Sequence, residues 1–282
     1  MDWKTTNKLE KHQLEEAIKG RKKKCARIGC KRKAVAVHHI DHDHSNNTPP
    51  NLAPACQFCH DEEHGISAQM TELKLLTREF YNTQKLRIAV SNRIKAYERL
   101  GLSLIHAPLA LEEIKATEAE LGKRIEHLIK QDDFYNIWLK RIKGIGPLLS
   151  ASLLSEVGNP EQFKTVGQLW ARVGLHVIEG KAPRRSKGNK ANWNGRLRMT
   201  LYKTATSFIK YDCFGRKLYD DYKQYYIQRD GEDPKWQTHN RALRRVMKDF
   251  LRCMWRAWLT SKNLPLTEAH KETKIFESDW II

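Results

Sequence analysis

Side chains that can bind metal ions or transfer protons are concentrated near the start of this 282-residue chain. They comprise His38 and His39, Asn51, and the segment Cys56-Gln57-Phe58-Cys59-His60, with His64 one helical turn further on. Histidine and asparagine are costly to bury without partners, so packing alone gives little reason for such a cluster. The pattern indicates metal chemistry instead.

Four of the six cysteines form two short pairs, Cys25 with Cys30 and Cys56 with Cys59. Two such pairs separated by a longer stretch are typical of one structural Zn²⁺ held by four thiolates. Disulfides are the weaker interpretation, because the chain opens on a charged stretch without a signal sequence, which predicts an intracellular protein with reduced thiols. The remaining two cysteines have aromatic and apolar neighbours and are expected to be small core residues; they are Cys213 and Cys253.

The chain between the cysteine pairs reads as a short strand followed by a polar loop. Residues 34–41 predict a short strand that presents His38 on one face and His39 on the other. Residues 59–64 are predicted to be helical, which would place His60 and His64 on one face. Two imidazoles from one helical turn and a third from the strand would form a facial site for a divalent ion, with coordination positions left open.

This ordered series, from Cys25 to His64, resembles the HNH (His-Me finger) nucleases and their ββα-metal fold. The resemblance implies catalytic roles for His39, Asn51 and His60. His39 would be the general base that takes a proton from the attacking water, and Asn51 would hold the loop or orient His39 through its amide. His38, His60 and His64 would hold the catalytic ion, which could be Mg²⁺, Mn²⁺ or Zn²⁺.

The chemistry of phosphodiester hydrolysis explains why these residue types occur together. The reaction needs a base that is active near neutral pH, and it needs a cation to neutralise charge on the phosphate and the departing oxygen. A plain zinc finger without catalysis is the alternative interpretation. It would not need the histidines and the asparagine in addition to the cysteines, so we favour the nuclease.

The charge of the chain indicates a polyanionic partner. Lys and Arg number 51 against 33 Asp and Glu, which gives a net charge of +18 and a pI near 9.6. DNA is the expected partner, and a mean hydropathy of −0.68 argues against a membrane surface. No acidic residue occurs in 181–211, and Trp193, within this basic segment, could either stack on a base or anchor a core.

Helical periodicity dominates from about Met70 onward. Apolar residues at spacings of three and four continue to Ile142, interrupted by a turn near Gly101 and Pro108. They predict either a helical hairpin or a coiled coil that forms a homodimer. The predicted fold is mainly α with a small α+β N-terminal module. Its parts are an N-terminal helix over 1–20, the metal module over 21–66, the hairpin or coiled coil over 67–141, and a helical DNA-binding domain over 142–282.

Gly144 and Gly146 stand between two predicted helices, the second of which covers residues 148–157. Gly-x-Gly in this position resembles a helix-hairpin-helix, in which backbone amides approach a DNA phosphate. A tight interhelical turn without a ligand is the alternative.

Residues 142–205 resemble the C-terminal domain of insertion-sequence transposases related to Piv invertases, some of which are guided by a bridge RNA. The resemblance rests on Gly144, Gly146, Gly158, Gly174 and the run Gly195-Arg196-Leu197-Arg198. Ser186 best matches the nucleophilic serine of that family, but the HNH module stands where the family has a RuvC-like acidic domain. Ser186 is therefore expected to contact phosphate within a DNA-binding set of Gly144, Gly146, Arg184, Arg185, Ser186, Lys187, Arg196 and Arg198.

Three functions compete on this evidence. The favoured one is a metal-dependent HNH endonuclease, a hydrolase that cuts DNA and binds it through the basic C-terminal domain. A transposase or site-specific recombinase using Ser186 and a non-catalytic zinc protein that binds nucleic acid are the alternatives. The pairing of the two segments suggests a mobile-element or phage origin and a cytoplasmic protein encoded by a bacterium, an archaeon or a phage. Branched or RNA-paired DNA remains open as the substrate.

Overall fold

A computed structural model describes residues 24–41, 46, 48–63, 68–184, 192–231, 235–265 and 275–281. The protein is mostly helical and has a small two-stranded antiparallel sheet near the N-terminus, as the sequence predicts at this coarse level. The described residues divide into two compact units, one up to Thr71 and one from Glu72 onward. The helix predicted for residues 1–20 lies outside the described residues.

The first unit contains two strands and a helix in close succession. Strand β1 (Ala36–His39) pairs with strand β2 (Leu52–Ala55) in antiparallel register, so that Ala36 lies opposite Ala55 and His39 opposite Leu52. Along β1 the buried residues alternate with half-buried ones, because successive side chains of a strand point to opposite faces. Helix α1 (Gln57–Glu63) begins two residues after β2 ends.

Two long helices lead into the second unit. Helix α2 (Ala68–Arg99) has its first turn in the first unit and the rest in the second, and helix α3 covers His106–Ile129. Gly101, whose φ of +74° favours glycine, lies in the turn between them. The Arg87 Nε donates to Glu118 Oε2 at 2.5 Å, and a Cβ at Gly122 would lie 3.6 Å from Phe80. These contacts place α2 and α3 side by side and antiparallel, in the arrangement of a helical hairpin.

The helical pattern predicted to continue to Ile142 is interrupted after Ile129. The prediction of uninterrupted periodicity is wrong here because Asp132 is extended and starts a new helix, α4 (Asp133–Ile137), by accepting a hydrogen bond from the Tyr135 amide at 2.7 Å. A short 3₁₀ turn, Leu139–Arg141, follows α4.

The core of the second unit is formed by five further helices. They are α5 (Pro147–Val157), α6 (Val166–Val173), α7 (Gly195–Ile209), α8 (Phe214–Asp230) and α9 (Lys235–Ser261). Helix α5 packs on α3 and α7, and α9 packs on α7 and α8. Phe250 lies at the centre of an aromatic cluster, with ring centroids 5.7 Å from Trp138, 5.4 Å from Phe208 and 5.2 Å from Trp280. Cys213 and Cys253 are buried, as expected for core residues.

Across the described part of the chain, no helix combines the length and the apolar character needed to cross a lipid bilayer.

Candidate functional site

The four paired cysteines converge in the first unit. The sulfur atoms of Cys25, Cys30, Cys56 and Cys59 all lie within 4.8 Å of one another. The Sγ atoms of Cys30 and Cys56 are 3.8 Å apart, which is too long for a disulfide. With Zn–S bonds of about 2.3 Å, neighbouring sulfurs of a tetrahedral site lie about 3.8 Å apart. The donor set and its spacing therefore fit one zinc ion.

Backbone hydrogen bonds hold both cysteine pairs in tight turns. The Cys25 amide donates to the Arg32 carbonyl at 2.9 Å, and the Cys30 amide donates to the Arg27 carbonyl at 3.0 Å. In the second pair the Cys59 amide points at the Cys56 sulfur at 3.4 Å. These turns thus direct the four sulfur atoms toward one another through hydrogen bonds of the protein alone.

The ionisation of the thiols differs across the cluster. A backbone hydrogen bond from Arg32 lowers the pKa of Cys30 to about 7, whereas burial raises the pKa of Cys59 to about 12. Crowded thiols of this kind do not all ionise together near neutral pH. A bound divalent cation would favour the thiolate at every position, which is the further reason why the cluster suits a metal.

Two arginines beside the cysteines have contacts within the unit. Arg27 forms an ion pair with Glu62 of helix α1. The Arg32 guanidinium carbon lies 4.6 Å from the centroid of the Phe58 ring. These contacts connect the first cysteine turn to α1 and help to fix the position of that helix.

His38 and His60 meet beside the cysteine cluster. Their ring centroids are 5.8 Å apart with the planes at 88°, His38 from strand β1 and His60 from helix α1. His38 is 8% exposed, and the His60 amide donates to the Cys56 carbonyl at 3.0 Å. Because His60 directly follows Cys59, the turn that places the sulfur also places the imidazole.

His39 is the last residue of β1 and is half-buried on the face opposite His38. The Ile40 amide that follows it donates to the Asn51 carbonyl at 2.9 Å. His64, the third predicted metal ligand, lies outside the described residues.

The Asn51 side chain holds the loop that follows the histidine pair. Its Oδ1 accepts from the Asp41 amide at 3.0 Å, and its Nδ2 donates to Asp41 Oδ1 at 2.7 Å and to the Asn46 carbonyl at 2.8 Å. Asn51 is only 9% exposed, so these bonds form in a sheltered position. Of the two roles predicted for Asn51, these contacts correspond to holding the loop.

The two predicted glycines of the second unit differ in their surroundings. Gly144 has a φ of +94° and accepts a hydrogen bond from Ser207 Oγ at 2.7 Å, and a Cβ there would lie 3.2 Å from Tyr211. A packing requirement therefore explains this glycine. Gly146 precedes the first turn of α5, and a Cβ there would meet open space. Its side of the turn is accessible to a ligand.

The predicted DNA-binding cations are only partly described. Arg184 and Arg196 are exposed, and Arg198 lies with its guanidinium carbon 5.6 Å from the Trp193 ring centroid. Arg185, Ser186 and Lys187 lie outside the described residues.

Trp193 packs against Gly174. A Cβ at Gly174 would lie 2.7 Å from the Trp193 ring, and Gly174 has a φ of +72° at the end of α6. The tryptophan is half-buried, so a packing role accounts for its position.

Glu156 belongs to the run Glu156-Val157-Gly158 that resembles the transposase family, but the sequence assigns this buried carboxylate no role. Glu156 is 8% exposed and lies near the end of α5, where its Oε1 accepts from Arg78 at 3.3 Å and its Oε2 from Asn194 at 3.0 Å. Asn194 also caps α7, since its Oδ1 accepts from the amides of Arg196 and Leu197. The signal in the sequence is that Glu156 is the only charged residue of helix α5.

Two different groups of known proteins are similar to two different segments of the chain. Residues 138–220 match the model of the transposase IS116/IS110/IS902 family. The N-terminal region is similar to HNH nucleases. The chain therefore combines an HNH nuclease-like segment with a transposase-like segment.

Individual relatives cover only parts of the chain. The chain is 29% identical over 174 residues to the insertion element IS116 uncharacterized 44.8 kDa protein of Streptomyces clavuligerus, covering 60% of this chain and 39% of that protein. It is 41% identical over 66 residues to the putative HNH nuclease YajD of Escherichia coli K12 and, equally, of Salmonella typhimurium LT2, covering 20% of this chain and 56% of each relative. The chain thus spans less than two thirds of the length of these relatives.

Proposed function

We propose that the protein is a metal-dependent HNH-type endonuclease that hydrolyses DNA phosphodiester bonds. The observation that carries the proposal is the meeting of His38 and His60, with ring centroids 5.8 Å apart, beside a four-cysteine cluster that fits zinc. The similarity of the N-terminal region to putative HNH nucleases supports the same conclusion.

Each residue of the first unit has a distinct role in this proposal. The imidazole of His39 accepts the proton of the attacking water, since a neutral imidazole is a competent base near pH 7. His38, His60 and His64 would hold one divalent ion, which when bound supplies charge neutralisation at the phosphate and the departing oxygen. Asn51 holds Asp41 and Asn46 after the histidine pair, and the four cysteines would hold a zinc ion that links the strand to the helix.

The second unit would bind the DNA. Arg196 and Arg198 carry positive charge on α7 and Arg184 on the segment before it, and backbone amides near Gly146, where a Cβ would meet open space, would approach a phosphate. Arg185, Ser186 and Lys187, which lie outside the described residues, complete the proposed DNA-binding set. Contacts of this kind steer and position a duplex without reading its sequence.

A transposase or site-specific recombinase is the second candidate, favoured by the match of residues 138–220 to a transposase family. In that case Ser186 would become covalently linked to DNA, and a trapped protein–DNA adduct would disappear in Ser186→Ala. A non-catalytic zinc protein would instead bind DNA tightly and cut none with any metal.

The test compares the wild type with His39→Ala and with His127→Ala, an exposed histidine of α3 that serves as the matched control. Supercoiled, linear and four-way-junction DNA are incubated with Mg²⁺, Mn²⁺ or EDTA. We expect metal-dependent cutting that falls by about 10²- to 10⁴-fold in His39→Ala and is unchanged in the control. Equal cutting by all three proteins would remove His39 from the mechanism.

A further inference from the structure

The second unit contains a groove of whose lining the nuclease proposal uses only Arg196. It has a volume of about 370 Å³ and is formed by faces of α2, α5 and α7. Most of its lining surface is apolar, and the lining also includes five charged side chains and one tyrosine; they are Arg78, Tyr81, Lys85, Glu156, Arg196 and Lys203. Apolar surface from Ile88 and Met199 completes the walls.

The groove has an excess of positive charge. Its single carboxylate, Glu156, is already engaged by Arg78 and Asn194 at 3.3 and 3.0 Å. Within the part of the chain that the structure describes, none of the three cations that remain pairs with a carboxylate; they are Lys85, Arg196 and Lys203. An anion entering the groove would therefore meet cations that are not already neutralised.

An aromatic ring lies next to this charge. Tyr81 is half-buried, its hydroxyl accepts from Ser152 Oγ at 3.4 Å, and the Lys203 ammonium lies 3.8 Å from its ring centroid. Partial burial lowers the pKa of Lys203, because the ammonium has lost part of its hydration. A phosphate close to this ammonium would restore the lost stabilisation.

We propose that the groove binds one nucleotide of a single nucleic-acid strand, with its base against Tyr81 and its phosphate among Lys85, Arg196 and Lys203. An aromatic ring beside a row of cations is the combination that single-strand sites use. The volume suits a small ligand such as one nucleotide. A base paired in a duplex is stacked between its neighbours and could enter only if it were flipped out. The site goes beyond the proposed nuclease function and does not depend on His39.

The test measures binding to the full chain carrying His39→Ala, which keeps the probe intact. A fluorescein-labelled oligothymidylate of twelve nucleotides is titrated by anisotropy at several salt concentrations, with the unlabelled strand, thymidine 5′-monophosphate and the corresponding duplex as competitors. Lys203→Gln is compared with Lys123→Gln, an exposed lysine of α3 outside the groove. Tyr81→Leu is compared with Tyr81→Phe, which keeps the ring.

We expect Tyr81→Leu to weaken binding of the strand about fivefold or more, since loss of one stacked base costs at least about 1 kcal/mol, and Tyr81→Phe to have little effect. We expect Lys203→Gln to weaken binding and to reduce the slope of log K against log salt by about 0.7. Lys123→Gln should change neither quantity.

Three results would overturn the proposal. Equal effects of Lys203→Gln and Lys123→Gln would show that the strand is attracted by the overall positive charge of the protein and not by a specific site in the groove. Equal affinity of Tyr81→Leu and Tyr81→Phe would exclude stacking. Competition by the mononucleotide as strong as by the unlabelled strand would assign the groove to a free nucleotide. None of these results bears on cutting by the first unit, so the two proposals can fail separately.

Discussion

Replacing Asn51 by alanine tests whether the loop after the histidine pair must be held closed for catalysis. The Asn51 side chain makes three hydrogen bonds, to the Asp41 amide, the Asp41 carboxylate and the Asn46 carbonyl. Asn51→Ala removes all three, while the backbone bond from Ile40 to the carbonyl of residue 51 is retained. The predicted result is a loop that opens more often and an imidazole at His39 that is less well placed.

The magnitude follows from the three bonds. Bonds to neutral groups contribute about 1 kcal/mol each and the bond to the carboxylate about 1.5 to 3 kcal/mol, which gives an upper bound of roughly 5 kcal/mol. In the opened loop, hydrogen bonds to water offset part of the contribution of these three bonds. We therefore expect the free energy of local opening to fall by about 2 kcal/mol in Asn51→Ala. That corresponds to roughly 30-fold faster amide exchange. Misplacement of a catalytic group by about 1 Å can cost about 100-fold in rate.

Hydrogen exchange followed by mass spectrometry measures the loop directly. Peptides covering residues 36–55 should exchange about 30-fold faster in Asn51→Ala, and DNA cutting should fall by about 10- to 100-fold with zinc content unchanged. Asn92→Ala, at an exposed position of α2, is the control and should change neither. If exchange in this segment is unchanged, the hydrogen bonds of Asn51 do not hold the loop, and their loss does not account for any fall in cutting.

Two further predictions concern metal content and pH. Cys59→Ser should reduce bound zinc from about one ion per chain toward none and abolish cutting, measured by elemental analysis of the purified protein; full zinc content would contradict the four-cysteine site. Tyr222 donates to the buried Asp249 carboxylate at 2.5 Å, and burial raises the pKa of Tyr222 to about 12. Since the folded state favours the neutral phenol, its contribution to stability is complete below about pH 10 and is lost as the pH rises toward 12. Tyr222→Phe should therefore lower the melting temperature at neutral pH and flatten its decline in this alkaline range; parallel declines in both proteins would refute this.

Features set by local sequence spacing could be predicted. The two cysteine pairs predicted the four-sulfur cluster because each pair forms its own turn, and the turns need only be brought together by one short hairpin. Strand β1 followed from the alternation of residues along it, and α1 from the spacing after Cys56.

Features that depend on distant residues could not be predicted. The groove brings Tyr81 of α2 close to Lys203 of α7, and no periodicity links residues so far apart in the chain. Trp193 could be interpreted in two ways until its contact with Gly174 was known. The break after Ile129 has a local signal in Asp132, but the apolar spacing of three and four continues on both sides of it.

The position of His60 connects the structural and the proposed catalytic parts of the first unit. Its amide donates to the carbonyl of Cys56, its neighbour Cys59 contributes a sulfur to the cluster, and its ring meets His38 from the adjacent strand. A shift of the cysteine cluster would therefore move His60 relative to His38, because His60 directly follows Cys59 in the chain. A ββα unit this small buries little apolar surface, and the zinc would supply the rigidity that a larger core supplies elsewhere. The zinc would thus serve catalysis through the placement of His60, without contacting the substrate.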